Sequence, residues 1–268
     1  MQNVLMTGAA GGIGSHFRSL LKGRYQRLRL SDINKPADLA ADEEFVPADL
    51  ADMAAVERMV DGMDGIIHFG GYSVEGPWDV IHSSNIVGLH NLFEASRQAG
   101  VKRIIFASSN HAVGFYRRTR RIGVDEHVRP DSRYGVSKAF GEALGSFYAD
   151  KFGLGVMCIR IGNVDLRPID HRRLSIWVHP EDLAQLVHTG LTHPDVHYEI
   201  VYGMSHNERA WWDNETARRL GYQPKHRAED HAEHALAAQA QVGPDPIGDL
   251  FQGGTFCAQE FAGDLKKL

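Results

Sequence analysis

Val4-Leu5-Met6-Thr7-Gly8-Ala9-Ala10-Gly11-Gly12-Ile13-Gly14 runs from an apolar strand through a glycine turn into an amphipathic helix marked by Phe17, Leu20 and Leu21. Strand, turn and helix in that order are what a dinucleotide site requires. Gly8 permits the tight turn, Gly11 lets the backbone approach a pyrophosphate, and Gly14 allows close helix packing, while the free N–H groups at the helix start attract phosphates. The next strand, Arg27-Leu28-Arg29-Leu30-Ser31-Asp32, ends in an acid 18 residues beyond Gly14. A carboxylate there accepts hydrogen bonds from ribose hydroxyls and repels a 2′-phosphate, so the pattern favours NAD over NADP.

Outward from this unit, strand patterns at 44–48, 65–69, 101–107, 156–161 and 198–202 alternate with helical ones at 52–60, 78–98, 132–152 and 180–191. Alternation of this kind predicts an α/β fold of the Rossmann type, a doubly wound parallel sheet. Residues 1–162 then form the NAD-binding core. Residues 163–268, where the pattern loosens, are expected to add further strands and helices and to cap the crevice on the substrate side, all within one compact unit. There is no internal repeat, and only the Ala/Gln/His-rich stretch at 235–241 is compositionally simple.

Chemistry first shows in Tyr134-Gly135-Val136-Ser137-Lys138. A helix over 132–152, stopped by Gly153, places Val136, Phe140, Ala143, Leu144 and Phe147 on one side and the i, i+4 pair Tyr134 and Lys138 on the other. The apolar side is expected to be buried and the phenol and ammonium presented opposite it. A cation this close should draw the tyrosine pKa down from about 10 and make it a general base. Ser109, at the end of the fifth strand and 25 residues before Tyr134, can donate to the oxygen whose proton Tyr134 removes.

Thr7-Gly8-x-x-Gly11-x-x-Gly14, Ala48-Asp49-Leu50, Ser109 and Tyr134-x-x-x-Lys138 together resemble the extended short-chain dehydrogenase/reductase superfamily over essentially the whole chain. Ser108-Ser109-Asn110-His111, Arg173-Leu174-Ser175-Ile176-Trp177, Trp211-Trp212-Asp213-Asn214 and Phe251-Gln252-Gly253-Gly254-Thr255-Phe256 are similar to blocks of the bacterial uronate dehydrogenases. The resemblance implies Ser109, Tyr134 and Lys138 as catalytic residues. It implies NAD held by Gly8, Gly11, Gly12, Ile13, Gly14, Asp32, Ile33, Asp49, Leu50, Phe69, Gly70, Gly71, Asn85, Tyr134, Lys138 and Ile161. For the sugar acid it implies Ser73, Ser109, Asn110, His111, Tyr134, Asn163 and Arg173, the last forking onto the carboxylate. The reaction implied is oxidation of the anomeric carbon of a hexuronate to the aldarolactone. A nucleotide-sugar epimerase or dehydratase would share the fingerprint, but the 130 residues after Lys138 leave little room for a domain gripping a sugar diphosphate. A non-catalytic NAD sensor would have no need of the Tyr134/Lys138 pair.

At 268 residues, 43% hydrophobic, the chain can bury a full core, and its net charge of −5 gives no reason to expect nucleic acid or an anionic membrane as partner. Two distant cysteines, Cys158 and Cys257, read as reduced thiols. No basic leader precedes the first strand and no apolar run approaches a membrane span, so a cytoplasmic protein is expected. Among 15 histidines, neither the 226/231/234 group nor the 188/193/197 group comes with a cysteine or HExxH spacing, and no metal is expected. Relatives in the superfamily commonly self-associate, and Gly141 and Gly145 would permit close packing with another copy, so a homo-oligomer is expected.

Overall fold

In the computed structural model, which describes residues 1–268, the chain opens with β1 (Asn3–Thr7), α1 (Gly12–Leu21), β2 (Arg27–Ser31), β3 (Glu44–Phe45), α2 (Met53–Val60) and β4 (Gly65–His68). Then come α3 (Trp78–Ile81), a π-helical turn (His82–Val87), α4 (Gly88–Gln98), β5 (Arg103–Ser109), α5 (Arg133–Phe152), β6 (Gly155–Ile161) and β7 (Asn163–Val164). The remainder is α6 (His171–Ile176), β8 (Trp177–Val178), α7 (Pro180–Thr192), β9 (Tyr198–Gly203), α8 (Glu215–Arg219), α9 (Ala232–Gln239) and α10 (Thr255–Ala258).

Seven strands form one sheet in the order β3-β2-β1-β4-β5-β6-β9, and every pairing in it is parallel. A parallel sheet covered on both sides needs apolar residues on both faces of its strands. Val4, Met6, Ile67, Ile105 and Met157 accordingly pack with Phe17 and Leu21 of α1 and with Leu183, Leu186 and Val187 of α7. The alternate residues Leu5, Ile66, Ile104, Phe106 and Val156 pack with α2, α4 and α5 through Val56, Met59, Leu92, Phe93 and Tyr148. Each fully buried aliphatic side chain contributes about 1.5–3 kcal/mol. The winding reverses between β1 and β4, which opens a crevice beyond the carboxyl ends of the strands.

Two departures from the sequence reading concern boundaries. The third strand keeps only Glu44–Phe45, because beyond it only single backbone bonds, Val46 N to Leu30 O and Ala48 N to Asp32 O, continue the edge. The helix expected over 78–98 is interrupted by the π turn at His82–Val87.

A third departure concerns α5. Its capping is as expected, with Ser132 Oγ accepting from Gly135 N at the start and Gly153 in the left-handed region at the end. Its faces differ from the expectation: Tyr134, Ser137, Lys138, Gly141, Glu142 and Gly145 are buried against the sheet, Phe140 and Leu144 are half-buried against the core, and Val136, Ala143 and Phe147 face outward. Gly141 lies against Phe106 and Leu89, and Gly145 against Val156 and Cys158, so both glycines serve packing within this chain. The polar inward face is stable because its groups are partnered. Lys138 Nζ donates to Ala107 O at 2.8 Å, and Glu142 accepts from Arg160 and from Ser108 Oγ. Both cysteines are free and buried, and no helix is long and apolar enough to cross a membrane.

Candidate active site

A cavity of about 760 Å3 occupies the reversal point of the sheet. At one end it is lined by Gly8, Gly11, Gly12, Ile13 and Gly14. Gly8 has φ +73°, and a Cβ on Gly14 would come within 2.1 Å of Gly8 O, so the turn and the start of α1 admit no side chain at either position. The helix start, with Gly11 as its N-cap, has no side-chain cap, leaving N–H groups of the first turn for an anion. Asp32, Ile33, Asp49 and Leu50 line the same end. The Asp32 carboxylate accepts from Ala10 N (3.0 Å) and Asn34 N (3.1 Å), which aims it while leaving lone pairs free for hydroxyls. An uncapped helix start, a turn too tight for a side chain and an oriented acid fit NAD. Phe69, Gly70, Gly71 and Ile161 complete this wall. Asn85 does not line the cavity. Its amide oxygen accepts from Tyr72 N (2.7 Å), and its amide nitrogen donates to Tyr72 O (2.9 Å) and to Ser137 Oγ (3.0 Å), so it anchors the loop that follows β4.

Farther in, Ser109, Tyr134 and Lys138 meet on the cavity wall. The register of β5 and the first two turns of α5 bring them together across 29 residues of sequence, Ser109 to Lys138. The expected lowering of the tyrosine pKa is corrected by the geometry: burial pushes Tyr134 up to about 12, opposed by the Ser109 hydroxyl and helped by Asp131. Lys138 Nζ lies 5.3 Å from the centre of the Tyr134 ring, and its own burial pulls it down to about 8. In a low-dielectric site both groups shift towards their neutral forms.

At the substrate end, Ser73 and His111 line the cavity. His111 Nδ1 lies 2.7 Å from Asp131 Oδ2, and the Phe256 ring stacks on the imidazole at 4.0 Å. Asn110 is buried behind this wall. With its amide nitrogen donating to Ile161 O (3.2 Å), its oxygen accepts from Arg172 Nη2 at 3.1 Å. Asn163 pairs with Trp177 across the small β7-β8 sheet, and its side-chain oxygen has no partner in the chain.

Of the neighbouring pair, the sequence reading singled out Arg173 and not Arg172. Arg173 is paired with Asp170, the N-cap residue of its own helix, and so has its carboxylate already. Arg172 points instead towards the Asn110 block, with Nε donating to Gln252 O at 2.9 Å. Its contacts are carbonyl and amide oxygens, and burial lowers its pKa to about 10. A buried guanidinium of this kind is stabilised by an anion. Asp131, Arg172, Gln252 and Phe256 were not assigned roles from sequence, although the Phe251–Phe256 block had marked the segment. The histidines also group differently from the sequence spacing: His179, Glu181 and His226 approach one another near the start of α7. The imidazoles of His179 and His226 are stacked 3.5 Å apart and nearly parallel, so their lone pairs do not converge.

Comparison with known proteins agrees with this geometry. Residues 4–165 match the family model "NAD dependent epimerase/dehydratase family". Uronate dehydrogenase of Pseudomonas putida is 48% identical over 254 residues, 94% of this chain and 94% of that protein. Among solved structures, a mutant uronate dehydrogenase from Agrobacterium tumefaciens complexed with NAD superposes with a TM-score of 0.92 at 43% identity, covering 97% of this chain and 98% of the other. A glucuronic acid dehydrogenase from Chromohalobacter salexigens also gives 0.92, at 42% identity and with full coverage of both chains.

Proposed function

The chain belongs to the NAD dependent epimerase/dehydratase family, and from that membership we propose that it oxidises the anomeric carbon of a hexuronate, such as glucuronate or galacturonate, to the aldarolactone. The observation that carries this reading is likeness along nearly the whole chain to proteins named for uronates. The same full-length likeness does not favour a nucleotide-sugar epimerase or dehydratase. NAD, when bound, accepts the hydride from C1. Its pyrophosphate belongs at Gly11, Gly12 and the start of α1, and its adenosine ribose at Asp32.

Tyr134 takes the proton of the anomeric hydroxyl, and Ser109 holds the same oxygen in place. With burial holding the phenol up at about 12 and the ammonium down at about 8, removal of the hydroxyl proton requires a prior proton loss from the Tyr134/Lys138 pair. Lys138 also reaches the nicotinamide ribose. Arg172, in place of Arg173, receives the C6 carboxylate, since its part-buried guanidinium donates to Gln252 O and Asn110 and is paired with no carboxylate. Ser73 and His111 face the sugar hydroxyls, with Asn110 behind them and Asn163 at the small β7-β8 sheet, and residues 163–268 cap that end of the crevice. The decisive experiment offers purified protein NAD with glucuronate, galacturonate, glucose, galactose and UDP-glucose and follows NADH absorbance. Rapid reduction with the uronates alone is the expected result, and equal rates with glucose or UDP-glucose would overturn the reading.

The exposed apolar side chains Val136, Phe147 and Phe152 of α5 and Trp78 of α3 support self-association, which light scattering on the eluting protein measures. The free, buried thiols are in keeping with a cytoplasmic protein.

A further inference from the structure

We propose that Asp131 is a positioning residue that locks His111 as the Nδ1–H tautomer, so that Nε2 presents a lone pair to the bound sugar and selects for a hydroxyl there. The inference rests on the reading of the cavity as a hexuronate site. Both oxygens of the Asp131 carboxylate are committed. Oδ2 is 2.7 Å from His111 Nδ1, and Oδ1 accepts from Ser132 Oγ at 2.7 Å. The Ser132 oxygen already accepts from Gly135 N at 2.9 Å, so its proton is available for Asp131. A carboxylate ringed by donors can only accept, and the imidazole proton therefore resides on Nδ1.

The pair is also built into the packing. The Asp131 side chain has no exposed surface, and a Cβ on either Gly114 or Gly253 would fall 1.8 Å from its Oδ2, so two separate segments leave room for this one oxygen. The Phe256 ring lies 19° from the plane of the imidazole at 4.0 Å, and Tyr134 meets it edge-on at 5.8 Å. Asp131 fixes one edge of the ring and Phe256 fixes its plane. The remaining nitrogen, Nε2, is then an acceptor of fixed direction beside Tyr134. A ring hydroxyl of the substrate satisfies it, and a substrate with hydrogen in that position leaves it unpaired.

Nitrogen-15 spectra of the imidazoles in the wild-type protein, with His111 assigned by its loss in His111→Gln, test the tautomer before any substrate is added. The expected result is a protonated Nδ1 and an unprotonated Nε2, and the reverse pattern overturns the proposal even if the Asp131 variant fails to fold. Steady-state kinetics with the 2-, 3- and 4-deoxyhexuronates then tests selection. One analogue should lose about tenfold or more in kcat/KM with wild type, largely through KM, and this penalty should shrink towards unity in Asp131→Asn, whose amide can donate to Nδ1 and leave Nε2 protonated. An unchanged penalty in Asp131→Asn overturns the proposal. Because the tautomer is read without substrate, failure of the wild type to oxidise any uronate is a distinct result that counts against the proposed function instead.

Discussion

At the cofactor end of the crevice, Gly8, Gly11 and Gly14 belong to one turn and one helix start, within seven residues of sequence. The other end is lined by Ser73 from the loop after β4 and His111 from the turn after β5, and behind them stand Asp131 from the residues before α5, Phe256 from α10 and, through Asn110, Arg172 from α6. The first end works mostly through backbone: free N–H groups and the absence of side chains. The second works through side chains whose positions depend on one another. Function at the cofactor end should therefore be spread over many small contributions, whereas at the substrate end single truncations should be costly.

The largest test lies where the two ends meet. Tyr134→Phe should lower kcat on the order of 10²–10⁴-fold while NAD binding, measured by fluorescence titration, is retained. In the wild type, kcat/KM should rise about tenfold per pH unit below pH 8 and then level, because Lys138 of the free protein has its pKa lowered to about 8. A flat profile from pH 6 to 9 would remove Lys138 from the acid-base unit.

Next in size is the contrast between neighbouring arginines. Losing the partner of a carboxylate costs about 2–5 kcal/mol, so Arg172→Ala should cut kcat/KM for glucuronate roughly 30- to several-thousand-fold. Arg173→Ala, which removes a partly exposed pair with Asp170, should stay within a few-fold. The opposite ranking in steady-state kinetics would restore Arg173 as the carboxylate reader.

The smallest effect is expected at the cofactor end. Asp32→Ala removes one oriented acceptor among many contacts and should narrow the preference for NAD over NADP by about tenfold, as for loss of one hydrogen bond to a charged group. Retention of the full preference would move that role to another residue of the wall, such as the neighbouring Asn34.

The N-terminal fingerprint was legible because its information is local. Steric freedom at Gly8 and Gly14 and the polarity of a helix start depend on residues adjacent in sequence, and the alternation of strand and helix patterns announced a parallel sheet. The pairing of Tyr134 with Lys138 needed only helical periodicity, and Ser109 only the end of a strand. The fate of the two α5 faces was not legible. Apolar content alone favoured burying Val136 and Phe147, yet the sheet received the polar face, because Ala107 O, Ser108, Arg160 and Asn85 were waiting there as partners from distant segments.

The amino-acid sequence by itself thus determined a doubly wound nucleotide fold, the acid at the end of β2 and the Ser109, Tyr134 and Lys138 set on the cavity wall. Only the tertiary structure decided that Arg173 is held by Asp170 while Arg172 turns towards Gln252 and Asn110, that Asp131 grips His111, and that burial raises the tyrosine pKa while lowering that of the lysine. The physical reason is the range of the forces concerned. Backbone sterics and helical phase act over a few residues, whereas desolvation and the partnering of a buried charge are fixed by whatever the fold brings within hydrogen-bond distance.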